Sequence, residues 1–221
     1  MVCCRGKVSG KIVGMRTRVK ICGITSPVDG IAAAQSGADA IGLVFYPPSP
    51  RALSTVVARE IVDSLPPFVT TVGLFVDMPQ AEIDEILAAV PLDMLQFHGS
   101  EDPLSCASFD KPWMKAVRMS PEVDLLKEEE RYFAASALLV DAYQKGVPGG
   151  TGQSFDWGRV PVDLQKPIVL AGGLTPENVE QAIKEVTPWA VDVSGGVELT
   201  KGVKDLDKVA QFINRAVNLE L

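Results

Sequence analysis

Ile168-Val-Leu-Ala-Gly-Gly-Leu-Thr-Pro-Glu-Asn-Val-Glu-Gln-Ala-Ile-Lys-Glu-Val186 reads as one unit of a repeating architecture. The run Ile168–Ala171 has the length and composition of a fully buried strand. The pair Gly172-Gly173 breaks it, and Thr175-Pro176 opens an amphipathic stretch over Pro176–Val186. Thr is a capping residue, and Pro suits the first helical turn. A second apolar run, Ala190–Ser194, follows at once. Strand, helix and strand at this spacing form the crossover that joins parallel strands.

The same alternation extends toward the start of the chain. Strands are predicted over Val19–Cys22, Ala40–Phe45, Val69–Val76, Met94–His98, Trp113–Val117 and Leu138–Asp141. Between them lie helical stretches such as Pro79–Val90, with Ala81, Ile83, Ile86, Leu87 and Val90 on its apolar face. Ser26-Pro27 and Asp102-Pro103 are further helix starts, and Gly37 follows the first helix as a C-terminal cap. The acidic run Glu128–Glu130 reads as the solvated end of a helix. About eight such units in roughly 200 residues predict an α/β chain, a single-domain (β/α)8 TIM barrel. An open, doubly wound sheet is the alternative. Residues 18–221 form the predicted barrel and residues 1–17 an N-terminal extension, with a natural start at Met15.

A chain of 221 residues with 47% hydrophobic and 22% charged residues is an ordinary globular domain. Its net charge of -7 argues against nucleic acid, yet leaves room for an anionic substrate held by the local field of a pocket. No apolar run reaches the ~20 residues of a membrane helix. Cys3, Cys4, Cys22 and Cys106 match no zinc or CxxC spacing, so reduced thiols in the cytoplasm are expected. The first residues lack the apolar segment of a secretory signal.

Strand alternation says which side chains share the barrel interior. Lys20 goes with Cys22, Gln96 with His98, Leu139 with Asp141, and Asp192 with Ser194. Such a polar upper layer is costly to bury unless it serves chemistry. Cys22 is either a small buried hydrophobe or a base whose thiol pKa Lys20 lowers. Asp141, at the end of its run, is either a loop-closing carboxylate or a general acid held protonated by its surroundings. Gly149-Gly150 and Gly152, Gly172-Gly173 and Gly195-Gly196 are tight turns, two of them placed where barrels bind phosphate on backbone N–H groups. Arg51 closes the stiff loop Phe45-Tyr-Pro-Pro-Ser-Pro-Arg51, where its guanidinium suits a carboxylate. His98, the only histidine, reads as a hydrogen-bonded core residue, and no metal site is expected.

Several blocks, in this order, closely resemble the phosphoribosylanthranilate isomerase family of tryptophan biosynthesis. They are Lys20-Ile-Cys-Gly-Ile-Thr25, Gly42-Leu-Val-Phe-Tyr-Pro-Pro-Ser-Pro-Arg51, Val72-Gly-Leu-Phe-Val76, Gln96-Phe-His-Gly99 and Leu138–Asp141. Gly149-Gly-Thr-Gly-Gln-Ser-Phe-Asp-Trp157, Leu170-Ala-Gly-Gly-Leu-Thr-Pro-Glu-Asn178 and Val191-Asp-Val-Ser-Gly-Gly-Val-Glu198 complete the set. The resemblance implies a cofactor-free Amadori rearrangement of a small phosphorylated substrate. It implies that Cys22 is the general base, Asp141 the general acid and Arg51 the anchor of the anthranilate carboxylate. Gly150, Gly152, Gly172, Gly173, Gly195 and Gly196 would hold the phosphate, with Asp192 and Ser194 beside them. Three features depart from the family: Gly195 stands where a second serine is usual, Phe97 where leucine is usual, and the extension before Met15 has no counterpart.

Rival readings are an indole-glycerol-phosphate synthase, which needs a catalytic lysine and glutamate, and a metal-dependent epimerase, for which one histidine is too few. A relaxed isomerase that also takes the histidine-pathway aminoaldose is nearer, though Arg51 favours a carboxylated substrate. From other classes come a non-catalytic ligand-binding barrel and a thiol redox sensor on Cys3-Cys4. No nucleic acid or membrane partner is expected, and the state is monomer or homodimer.

Overall fold

In the computed structural model the described residues are 16–142 and 155–219. Eight parallel strands close into one barrel in chain order. They are β1 Arg18–Cys22, β2 Ala40–Val44, β3 Thr70–Phe75, β4 Met94–Phe97, β5 Trp113–Arg118, β6 Ala137–Asp141, β7 Ile168–Leu170 and β8 Ala190–Val193. Every boundary falls within one residue of the sequence expectation. The open-sheet alternative is excluded, because β1 pairs with β8 through Val19↔Val191, Lys20↔Asp192 and Ile21↔Val193.

Helices α1 Pro27–Gln35, α2 Thr55–Ser64, α3 Gln80–Ala89, α4 Pro103–Cys106, α5 Leu125–Arg131, α6 Val179–Val186 and α7 Leu206–Val217 cover the outside. Ser26 and Asp102 cap α1 and α4 as predicted, and Gly37 adopts φ +99° beyond α1. The helix expected from Pro176 instead begins at Val179. Asn178 ties the intervening turn to the residues before it. Its Oδ1 accepts from the Thr175 N–H at 2.8 Å and its Nδ2 donates to the Gly173 carbonyl at 2.9 Å. Thr175 keeps its capping role, since its Oγ1 accepts from the Glu177 N–H at 3.2 Å and its carbonyl from the Val179 N–H at 3.1 Å. After β8 the chain forms a small antiparallel hairpin, β9 Glu198–Thr200 and β10 Val203–Lys204, before α7.

Two apolar layers build the body. Inside the barrel, Val72, Met114, Ala116, Leu139 and Val169 pack together below the polar residues. Outside β2–β5, Phe45, Phe75, Phe97, Trp113 and Tyr132 make a continuous aromatic row, with successive ring centroids 5.5, 6.3, 5.9 and 6.4 Å apart. Phe97 thus extends that row on the outward face.

Carboxylates cap the entry end of the strands. Asp39 Oδ2 accepts from the Val19 N–H at 2.8 Å, and Arg16 grips the same carboxylate with both terminal nitrogens. Asp93 Oδ2 accepts from the Thr71 N–H and hydroxyl, each at 2.8 Å. Glu129, in the acidic run of α5, is more than a solvated charge: its Oε1 accepts from the Gln165 N–H at 2.8 Å and the Lys166 N–H at 2.6 Å. The β1–β8 seam is fastened at its base by the Arg18 guanidinium, stacked 3.8 Å above the Trp189 ring. Among the described residues no helix is long and apolar enough to cross a membrane.

Asp93→Ala should cost about 1 kcal/mol through the two lost hydrogen bonds, lowering the midpoint of thermal unfolding by about 2–4 °C. Because Asp93 sits at the end opposite the polar layer, kcat and KM should not move; a calorimetric scan beside steady-state rates checks both.

Candidate active site

The polar residues predicted to face inward meet at the C-terminal ends of the strands. Lys20, Cys22, Gln96, His98, Asp141 and Asp192 are all buried there. Burying so many polar groups is tolerable only if they satisfy one another; these six form two groups, and Arg51 with its partners makes a third.

The first surrounds the thiol. Lys20 Nζ donates to Asp192 Oδ1 at 2.8 Å, a buried ion pair across the β1–β8 seam. Gly42, opposite Cys22 in the β1–β2 register, makes room for both side chains. A Cβ at Gly42 would lie 2.8 Å from Cys22 Sγ and 3.0 Å from Lys20 Nζ. Glycine inside a strand is a signal of such close approach, and the Ala40-Ile-Gly-Leu-Val44 run carried it unread. Lys20 does pull the Cys22 pKa down, as expected, but it does not set the net direction. Burial pushes the thiol up; Lys20 and Lys204 pull it down and Asp192 adds to the rise, so the net shift is upward. For Lys20, burial favours the neutral amine, but Asp192 and Cys22 outweigh it and its pKa is raised.

The second group holds Asp141. Its Oδ1 accepts from the Ala142 N–H at 2.8 Å, and its Oδ2 lies 3.2 Å from His98 Nε2. Gln96 Nε2 lies 3.0 Å from His98 Nδ1 and can only donate, so the ring proton belongs on Nε2, facing the carboxylate. His98 is the hydrogen-bonded core residue expected, with a specific neighbour. Gln96 Oε1 is buried with no protein partner among the described residues.

The third group was not foreseen. Arg51 does stand at the mouth, but its Nε and Nη2 donate to Glu198 Oε1 and Oε2, each at 2.7 Å. Lys204 Nζ donates to Glu198 Oε1 at 3.0 Å, to the Cys22 carbonyl at 2.7 Å and to the Ser194 carbonyl at 3.2 Å. Arg51 is raised by its hydrogen bonds to Glu198 despite burial. Glu198 is lowered because Arg51 and Lys204 overcome its burial, whereas burial wins at Lys204 and lowers it.

The glycine turns flank these groups. Gly172 and Gly173 both have positive φ, +82° and +66°. Gly195-Gly196 begins a short 3-10 turn after β8. Among the described residues, the N–H groups of Gly173, Gly195 and Gly196 have no protein acceptor. The two turns touch directly, since a Cβ at Gly196 would overlap the Leu174 carbonyl oxygen. Ser194 Oγ is buried and likewise unpartnered among the described residues. Gly150 and Gly152 lie outside the described residues. No group of three or more His, Cys, Asp or Glu side chains is arranged to hold a metal ion among the described residues.

The model of the N-(5′-phosphoribosyl)anthranilate isomerase family matches residues 19–215. An enzyme of that name from Alcanivorax borkumensis is 59% identical over 204 residues, covering 89% of this chain and 94% of its own. The crystal structure of phosphoribosyl anthranilate isomerase from Thermotoga maritima superposes with a TM-score of 0.84 at 41% identity, covering 90% of this chain and 98% of that one. A second crystal structure, of the same enzyme type in complex with reduced 1-(o-carboxyphenylamino)-1-deoxyribulose 5-phosphate, gives 0.81 at 41% identity, with 90% and 98% covered.

Gly196→Ala forces the two turns apart and should cost about 1–3 kcal/mol as an overpacked contact. Gly195→Ala meets nothing nearer than Arg51 Nη2 at 3.4 Å. Thermal unfolding should therefore fall clearly in Gly196→Ala and much less in Gly195→Ala; equal losses would contradict the turn-on-turn packing.

Proposed function

The chain belongs to the N-(5′-phosphoribosyl)anthranilate isomerase family and is an isomerase of tryptophan biosynthesis, and from that premise we propose how its residues perform the reaction. The substrate is N-(5′-phosphoribosyl)anthranilate, converted by an Amadori rearrangement to 1-(2-carboxyphenylamino)-1-deoxyribulose 5-phosphate. The observation that carries this reading is a buried thiol and a buried carboxylate at the C-terminal ends of β1 and β6, opening on one mouth.

In the first step Asp141 gives its proton to the furanose ring oxygen, and the C1′–O bond opens to a Schiff base. Cys22, as thiolate, then takes the proton from C2′, leaving an enolamine. Protonation of C1′ and loss of the C2′ hydroxyl proton complete the tautomerisation to the ketone, so the sum is an isomerisation with no cofactor. Proton transfers of this kind contribute about 10²–10⁴-fold each.

The neighbours suit these roles. The Lys20 ammonium beside Cys22 stabilises the thiolate when it forms, against the burial that otherwise favours the thiol. Asp141 accepts on both oxygens as a carboxylate. Its protonated form fits the same cage if the Gln96 amide turns over: the orphaned Gln96 Oε1 then accepts from His98 Nδ1–H, and His98 Nε2 accepts the acid proton. Gly173, Gly195 and Gly196 offer N–H groups to the phosphate, together with Gly172, Gly150 and Gly152. Asp192 and Ser194 face the ribose hydroxyls, and Arg51 receives the anthranilate carboxylate. The rise of the Cys22 pKa predicts a pH profile. Since the base form is the thiolate, the residual kcat/KM of Asp141→Asn, in which the proposed acid no longer titrates, should climb with pH through neutrality.

The test is turnover of freshly made N-(5′-phosphoribosyl)anthranilate, followed by loss of anthranilate fluorescence. The wild type should turn over rapidly, and Cys22→Ser and Asp141→Asn should each lose about 10²-fold or more. Removing residues 1–14 should leave the rate intact, as expected if residues 18–221 are the whole catalytic unit. A wild type inert on this substrate but active on the histidine-pathway aminoaldose would overturn the assignment of substrate.

A further inference from the structure

The group at Arg51 contains two residues for which the reaction above has no use. Glu198 is an acid at the mouth of a site whose substrate is anionic at both ends, and by charge alone it is out of place. Its side chain is only 5% exposed, and that of Lys204 is fully enclosed. Neither reaches the pocket as a free group. They are spent on one another and on Arg51.

The way Arg51 is held explains the arrangement. A guanidinium has two donor forks: a side-on fork of Nε–H and one Nη–H, and an end-on fork from the two terminal nitrogens. Glu198 occupies the side-on fork with two matched 2.7 Å bonds, using Nε and Nη2. The end-on fork stays available, and a side-on clamp fixes the plane in which it lies. Clamping by an acid alone would cancel the positive charge of Arg51. Lys204, 3.0 Å from Glu198 Oε1, restores a net charge of one for the three residues. The same ammonium donates to the Cys22 carbonyl, which belongs to the residue carrying the proposed base. Its other bonds reach Ser194 at the end of β8, and the Lys204 N–H contacts Asp29 of α1 at 3.3 Å.

We propose that Glu198 and Lys204 are positioning residues: Glu198 holds Arg51 side-on so that its end-on N–H pair meets the substrate carboxylate, and Lys204 fixes that clamp to Cys22. The carboxylate anchor and the base then keep one separation, set by a chain of three side chains. Holding the anthranilate ring at a set distance from the thiol is what would keep C2′ within its reach. This inference rests on the reading that Arg51 receives the anthranilate carboxylate.

The experiment is a double-mutant cycle in steady-state kinetics with N-(5′-phosphoribosyl)anthranilate, with thermal unfolding recorded for every variant. Arg51→Ala should raise KM by about tenfold or more, the loss of a charge-assisted bond. Glu198→Gln should raise KM by a similar factor with Arg51 still present, and the double variant should be no worse than Arg51→Ala alone. Lys204→Met should raise KM and also lower kcat, with Lys204→Arg recovering part of each. Free guanidinium should restore Arg51→Ala but not the double variant, because it needs Glu198 for its seat.

An unchanged KM in Arg51→Ala would overturn the carboxylate reading itself. A raised KM in Arg51→Ala beside a wild-type KM in Glu198→Gln would overturn the positioning role and leave that reading standing. Multiplying effects in the double variant would likewise overturn it, since Glu198 would then act apart from Arg51. Should Glu198→Gln fail to fold, Glu198→Asp keeps the charge but withdraws the carboxylate, and the same rise in KM is expected.

Discussion

Everything at the mouth depends on the pairing of β1 with β8. That seam is fastened at three heights: by Arg18 on Trp189 at the base, by Lys20 with Asp192 in the middle, and by Lys204 on the carbonyls of Cys22 and Ser194 at the top. None of these is chiefly a source of stability. A buried ion pair seldom repays the cost of its desolvation, and the stacked arginine contributes about 1 kcal/mol. What they supply is register. A slip of one residue would turn Lys20 and Cys22 outward and bring Val19 and Ile21 into the pocket, and each of the three contacts would break at once.

Stability and chemistry are divided between the two ends and the two faces of the barrel. The outer aromatic row and the lower interior layer of Val72, Met114, Leu139 and Val169 bury apolar surface. Asp39, Asp93 and Glu129 close the entry end by accepting backbone N–H groups. The upper interior layer is polar, and its members are satisfied almost entirely by each other. The exceptions are few: Gln96 Oε1 and Ser194 Oγ are left without partners among the described residues, and both lie in that layer.

Much of this was legible in the amino-acid order. The strands are continuous apolar runs bounded by glycine and proline, and their alternation places Lys20 with Cys22 and Leu139 with Asp141 on one face. The function was legible because Cys22, Arg51, Asp141 and the glycine turns sit in short blocks with distinctive neighbours. Other features could not be read locally. Glu198 and Arg51 are 147 positions apart and Lys204 and Cys22 are 182 apart, so no local pattern announces either contact. The direction of the Cys22 shift depends on how deeply the strand end is buried, which composition does not reveal. The turn before α6 is held by the Asn178 side chain, whose contacts with Thr175 and Gly173 no periodicity specifies.

The closure of β1 on β8 also has a temporal side. Lys20 and Asp192 are separated by 172 positions, so on the ribosome the first strand is made long before its last neighbour exists. Until β8 and the following hairpin emerge, the Cys22 thiol has neither Asp192 nor Lys204 nearby, and Arg51 lacks its clamp. Contacts of such sequence separation form late. The site is therefore completed only once residues 190–204 have been made, and a polypeptide that stops before them carries the thiol with Lys20 but without Asp192 or Lys204.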